Sequence, residues 1–170
     1  MISGWILALL LLTGQGQQPD PDIARLRELL ADKKQPQLQA QAAYLILQQQ
    51  TPLATETVKQ YLRDPLNVEV FTAFAGAIKL RRDGRFSEEL IEALSNDLPA
   101  VRQSAAEALG ASVDGKGAFK LKQIAENISL AETIRQQAMI ALGKTGKKSA
   151  AETLLKLFTD PKESVRLVSR

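Results

Sequence analysis

Apolar residues recur along this chain with a long and nearly constant period. Taking as marker the apolar residue that opens each Ala-rich stretch gives Leu38, Val70, Val101, Ile134 and Val165, spaced 32, 31, 33 and 31 residues apart. The residues four, seven and eight places further on repeat as well: Ala42, Leu45 and Ile46; Phe74, Ala77 and Ile78; Ala105, Ala108 and Leu109; Ala138, Ala141 and Leu142. On a helix these offsets fall on one face. Each stretch therefore predicts an amphipathic helix whose small residues let a neighbour approach closely. Self-similarity at such a period signals stacked repeats, each a unit that cannot bury its apolar face alone.

A second, less regular apolar pattern precedes each marker helix. Ile23, Leu26, Leu29 and Leu30 form the first, and Val58, Tyr61 and Leu62 the second. Leu90, Ile91 and Leu94 lie on a helix at about 87–95, Leu121, Ile124 and Ala125 at about 119–127, and Leu154, Leu155, Leu157 and Phe158 at about 149–158. Between the two helices of each repeat stands an acidic residue: Asp32, Asp64, Asp97, Glu126 and Asp160. The chain is thus expected to be all-α, a solenoid of about five antiparallel helix pairs with repeats at about 23–51, 52–84, 85–116, 117–147 and 148–170. The last repeat is incomplete, since its second helix begins at Glu163 and is cut off at Arg170, which predicts a longer natural array. Asp22 and Ser87 are expected N-caps. The helix at 68–80 is apolar almost all round and predicts burial on several sides. Gly110 to Gly117 reads as a helix C-cap and connector.

Upstream of the repeats, Trp5 to Leu12 is a continuous apolar run. It is too short to span a bilayer, which needs roughly 20 residues, and Gly14 and Gly16 supply small residues behind it. Residues 1–16 are expected to be a signal peptide cleaved near Gly16, although the first four residues carry no Lys or Arg. Residues 17–22 form a polar, Pro-containing linker before the repeat domain at 23–170. The expected destination is secreted or periplasmic, with no stable membrane anchor after cleavage.

The stretch Val101-Arg102-Gln103-Ser104-Ala105-Ala106-Glu107-Ala108-Leu109-Gly110, with its Asp/Pro turn, resembles HEAT repeats. Its short period is similar to the bacterial HEAT-like class first noted in phycobilisome lyases. The resemblance is strong in the third and fourth repeats, partial in the fifth and weak in the first two. Ankyrin repeats share the period, but their Thr-Pro-Leu-His has only Thr51-Pro52-Leu53-Ala54 to match it. The resemblance implies that the arginine after the marker bonds acidic groups near the turns. Arg102, Arg135 and Arg166 hold that position, with Asp97, Glu132 and Asp160 nearby, and form a ladder that staples repeat to repeat or, alternatively, binds anions. It also implies that the second helix of each pair lines the concave side. Offsets two and six from the marker point away from the core stripe and should face the groove. They are Ala40 and Tyr44, Thr72 and Gly76, Gln103 and Glu107, and Gln136 and Ile140; Tyr44 and Ile140 are the apolar anchors.

Composition narrows the function. Basic residues number 22 and acidic 19, a formal net charge of +3, with no histidine and no cysteine. The commonest general base and metal ligand and all thiol chemistry are therefore missing. The sequence contains no nucleophile motif, phosphate-cradling loop or cluster of metal ligands. No catalytic residue, cofactor or metal site is expected. The charge excess is far short of a nucleic-acid-binding tail. Basic residues do gather in the loops after the second helices: Arg81, Arg82 and Arg85, then Lys116, then Lys144, Lys147 and Lys148. Complementation of helix dipoles accounts for most of that pattern. The leading reading is an exported scaffold that binds a protein of unknown identity on its concave face. The alternatives are a HEAT-like lyase or chaperone-type accessory, and polyanion binding through the basic edge.

Overall fold

The computed structural model describes residues 22–64, 66–112 and 114–168. The expected signal peptide and most of the linker lie outside them. Ten α-helices follow one another among the described residues, with no strand. They are α1 (Ile23–Ala31), α2 (Pro36–Gln49), α3 (Pro52–Arg63), α4 (Val68–Arg81), α5 (Ser87–Ala93), α6 (Pro99–Ser112), α7 (Gly115–Glu126), α8 (Glu132–Lys144), α9 (Lys148–Leu157) and α10 (Glu163–Val168). A short 3-10 turn, Gly84–Phe86, leads into α5.

Local chemistry starts and stops these helices. Prolines open α2, α3 and α6, where a missing N–H costs nothing. The carboxylate of Asp22 accepts from the Ala24 N–H at 3.0 Å, the Thr51 hydroxyl from Ala54 at 3.1 Å, and Asp114 from Gly117 at 2.7 Å. Two expectations shift. Ser87 is not a cap: its hydroxyl donates to the Gly84 carbonyl at 2.8 Å, and Asp83 caps the 3-10 turn ahead of it. α7 begins at Gly115, four residues before the expected 119, because Asp114 caps it there.

The even-numbered helices form one row and the odd-numbered helices the other. Along the even row α2 packs on α4, α4 on α6, α6 on α8 and α8 on α10, while α2, α4, α6 and α8 each also pack on their odd-numbered partners. The result is a HEAT-like α-solenoid, two helices deep. Its core runs between the rows, from Leu26 and Leu30 through Phe71, Phe74, Leu90 and Leu109 to Leu121 and Leu142.

The buried stripe of the even row is wider than the marker pattern implies. Positions one and five after the marker are buried too: Gln39, Phe71 and Arg135, then Ala43, Ala75, Ala106 and Met139. At 100° per residue this turns the centre of the stripe about 30° further round. Leu38 and Ile134 are accordingly only half-buried. Leu45, placed in the core by sequence, is exposed, because α2 has no helix of the even row before it.

Gly110 does not end its helix. α6 runs on to Ser112, and Gly110 is buried where α8 crosses. A Cβ at Gly110 would lie 2.3 Å from Lys144 Cβ and 3.3 Å from the Ala141 carbonyl oxygen. The glycine is there so that the two helices can touch.

Candidate partner-binding face

In four of the five pairs the position after the marker supplies a hydrogen-bond donor to the turn inside the pair. In the first pair Gln39 Nε2 donates to the Leu30 carbonyl at 2.9 Å. Arg135 Nε donates to Ala125 at 2.9 Å, while Arg102 Nη1 donates to Asn96 at 2.7 Å and Asp97 at 2.9 Å. Arg166 Nη1 donates to Asp160 at 2.8 Å and Pro161 at 3.2 Å. Their targets are carbonyls at the ends of the odd-numbered helices and in the turns, which lack intrahelical partners. Arg102 and Arg166 thus bond backbone oxygens where sequence placed the carboxylates of Asp97 and Asp160. Phe71 takes the same position in the second pair and is buried instead.

One rung is ionic and crosses between pairs. Arg135 in α8 also hydrogen-bonds the carboxylate of Asp160, the residue that leads into α10, and both side chains are almost fully buried. The Asp160 carboxylate also accepts from the Lys162 N–H at 2.9 Å. The bond from Arg135 holds the Asp160 carboxyl below its ordinary value against the opposing effect of burial, with help from the Lys162 N–H and from the charges of Arg135 and Arg166. Glu132, named beside Arg135 by sequence, instead lies 3.4 Å from Lys162 Nζ.

The turns share a further device that sequence placed one residue off. The carboxylate of Asp32 accepts from the Lys34 N–H at 3.0 Å, and the amide oxygens of Asn96 and Asn127 accept from Leu98 at 2.9 Å and Ser129 at 3.0 Å. Asn96 and Asn127, rather than Asp97 and Glu126, therefore stand beside Asp32 and Asp160. An amide oxygen closes such a turn as well as a carboxylate does, so a search for acids alone misses them.

The residues at offsets two and six lie on the solvent side of the even row. Ala40, Tyr44, Thr72 and Gln103 are exposed, and Gly76, Glu107, Gln136 and Ile140 are half-buried. This face has two different halves. Between α2 and α4 a groove of about 460 Å³ is walled by Ala40, Tyr44, Thr72, Gly76 and Leu80. Its floor is open at Gly76, where an added Cβ would meet nothing within 4 Å. Arg81 of α4 reaches across to α2, its guanidinium 5.5 Å from the centre of the Tyr44 ring. Leu80, 78% exposed, is the large apolar residue of this groove that offsets two and six miss. It lies ten residues after Val70, and the rotated stripe carries that position onto the solvent face.

The other half is polar and cross-linked. Glu107 in α6 accepts from Lys79 of α4 at 3.0 Å and from Gln103 at 3.3 Å, and lies 3.5 Å from Lys144 of α8. These bonds and the lysine charges hold its carboxyl below the ordinary glutamate value. Gln103 and Glu107 are thus tied into the surface, whereas Tyr44 and Thr72 present their sides to the groove.

The basic residues of the loops separate in the same way. Arg85 is bound by Asp83, with its Nε 2.9 Å from the carboxylate, and Lys144 belongs to the Glu107 network. Lys147 and Lys148 occupy the N-cap and first position of α9, the end of a helix where dipole complementation calls for anions. Among the described residues no group of three or more acidic side chains stands close enough to hold a metal. No helix among them is long and apolar enough to cross a membrane.

Two rows of antiparallel helices with a continuous core define an α-solenoid. Residues 87–169, from α5 through α10, match the family model for HEAT repeats, which supports a HEAT-repeat protein. HEAT repeats generally act as protein-interaction scaffolds. No curated protein matches the chain.

Proposed function

We propose that this chain is an exported, non-catalytic scaffold that holds a segment of another protein against its even-numbered row, the concave side of a HEAT-like array. The observation that carries this reading is the groove between α2 and α4. It joins an exposed tyrosine and leucine to a glycine floor, on a rigid face already held by the core. Rigid aromatic and aliphatic anchors around a recess are the usual energetic centre of a protein interface. Binding needs no chemistry from the chain, in keeping with a sequence that lacks histidine and cysteine.

A photo-reactive amino acid placed in turn at Tyr44, Gln103 and Lys147 tests the face. Cross-linking to one and the same native partner is expected from Tyr44 and Gln103 and not from Lys147. Tyr44→Ala should weaken capture of that partner by about tenfold, the upper range for a central aromatic anchor being larger, with helicity unchanged. If Lys147→Glu with Lys148→Glu abolishes capture and Tyr44→Ala does not, the groove is the wrong site.

Export is the second part of the proposal and rests on the apolar run Trp5–Leu12 followed by Gly14 and Gly16. N-terminal sequencing of protein recovered outside the cytoplasm should begin at Gln17. A mature chain that still contains Trp5 overturns it.

A further inference from the structure

On the opposite row, α7 and α9 enclose a cleft of about 300 Å³ whose base is Leu142 of α8. We propose that this cleft binds a small amphiphilic carboxylate, a single anionic head on a short apolar body. The first argument is charge. Lys122 of α7, Lys147 before α9 and Lys156 of α9 all line the cleft, against one acidic residue, Glu152. Lys122 and Lys156 enter no ion pair among the described residues. Like charges gathered in a recess repel one another and attract an anion.

The second argument is a broken local rule. Lys147 and Lys148 sit at the N-terminal end of α9, no side chain caps that end, and its first turn holds no acidic residue. Cations there oppose the helix dipole. Arg25 and Lys116 likewise stand in the first turns of α1 and α7, whereas Lys79 and Arg81 lie in the last turn of α4 and Lys144 in that of α8. Departures from local preference are expected where a site needs them.

The third argument is the apolar lining. Ala118 and Phe119 of α7 face Ala150 of α9 across the cleft, and Phe119 is 58% exposed although it is large and aromatic. Thr153 is committed elsewhere, its hydroxyl donating to the Ser149 carbonyl at 3.1 Å. The volume equals that of roughly ten water molecules, at the small end of ligand pockets. That suits a molecule of about ten heavy atoms and not a folded partner. The head would lie among the lysines and the body against Phe119, Ala118 and Leu142.

Sodium octanoate titrated into the ¹⁵N-labelled full chain is the test, with octylammonium chloride and inorganic phosphate as comparators. Octanoate should give saturable shifts at Ala118, Phe119, Ser149 and Ala150, weakened by salt. Lys122→Gln with Lys156→Gln should reduce its affinity by about tenfold while the melting curve stays put. Phe119→Ser should weaken octanoate and leave phosphate unaffected. The proposal fails if octanoate gives no saturable shift, or if its shifts centre on Tyr44 and Leu80. Octylammonium binding equally well would make the cleft merely apolar, and phosphate binding equally well would make it a plain anion patch. A glutamate-rich peptide that binds there when octanoate does not would assign the cleft to a protein partner. Each of these outcomes overturns it. None requires the groove of the opposite row to bind a protein, so the two sites stand or fall separately.

Discussion

Asp160→Ala should destabilise the C-terminal end of the array by about 3–5 kcal/mol, the cost of leaving one member of a buried ion pair without the other. The stranded group is the Arg135 guanidinium, 1% exposed and fixed in place by its bond to Ala125. Chemical denaturation followed by circular dichroism should show α8 to α10 melting before α1 to α6. Arg135→Met together with Asp160→Leu should recover most of the loss, because an apolar pair carries no desolvation penalty. A single Asp160→Ala change that costs less than about 1 kcal/mol, the scale of a surface pair, would remove the pair from the forces that join the last repeats. The pair also sets an acid limit. The folded Asp160 carboxyl lies below its ordinary value, first through the bond from Arg135. Its contribution is therefore complete above the unfolded value of about 4 and is lost as pH falls through the lower folded value. Stability measured between pH 5 and pH 2 should fall more steeply in the native chain than in the apolar double variant.

Gly110→Ala should destabilise the chain by about 1–3 kcal/mol, the usual range for an overpacked core. Intrinsic preference points the other way, since alanine in a helix interior is favoured over glycine by about 1 kcal/mol. The close approach decides the sign. A methyl 2.3 Å from Lys144 Cβ meets the base of a side chain fixed to its helix, so α6 and α8 must separate. Gly76→Ala is the control. It lies in the interior of α4 with open space around it, and there the intrinsic gain of about 0.5–1 kcal/mol should appear. Denaturant midpoints for the two variants should move in opposite directions. If both rise, the contact between α6 and α8 is looser than described.

The solenoid is legible in the sequence because a buried face recurring every 31 to 33 residues leaves few other ways to satisfy it. The placement of Ala42, Phe74, Ala105 and Ala138 in the core follows from that repeat alone. Finer features depend on neighbours that the pattern does not name. Gly110 reads as a helix end until α8 is seen lying across it. Asn96 and Asn127 share a role with Asp32 that acidity alone does not reveal. Leu80 is missed because the wider stripe, carrying Gln39 and Arg135 into the interior, rotates the solvent face. Tyr44 and Thr72 are correctly turned outward by the offset rule, yet the recess between them depends on how far apart α2 and α4 stand. The cleft of the opposite row has the weakest signal, since α7 and α9 lack the regular spacing of the even helices. Its one trace is lysine where dipole complementation calls for acid.

Glu107 makes the seams of the even row unlike one another. By engaging Lys79 on one side and Lys144 on the other it straps α4, α6 and α8 together, while among the described residues no ion pair crosses from α2 to α4. The first seam of the even row, which holds the groove, is closed instead by the packing of α2 on α4 and by Arg81 against the Tyr44 ring. Rising salt therefore acts on the seams unequally, screening the Glu107 ties while leaving the apolar seam around the groove in place.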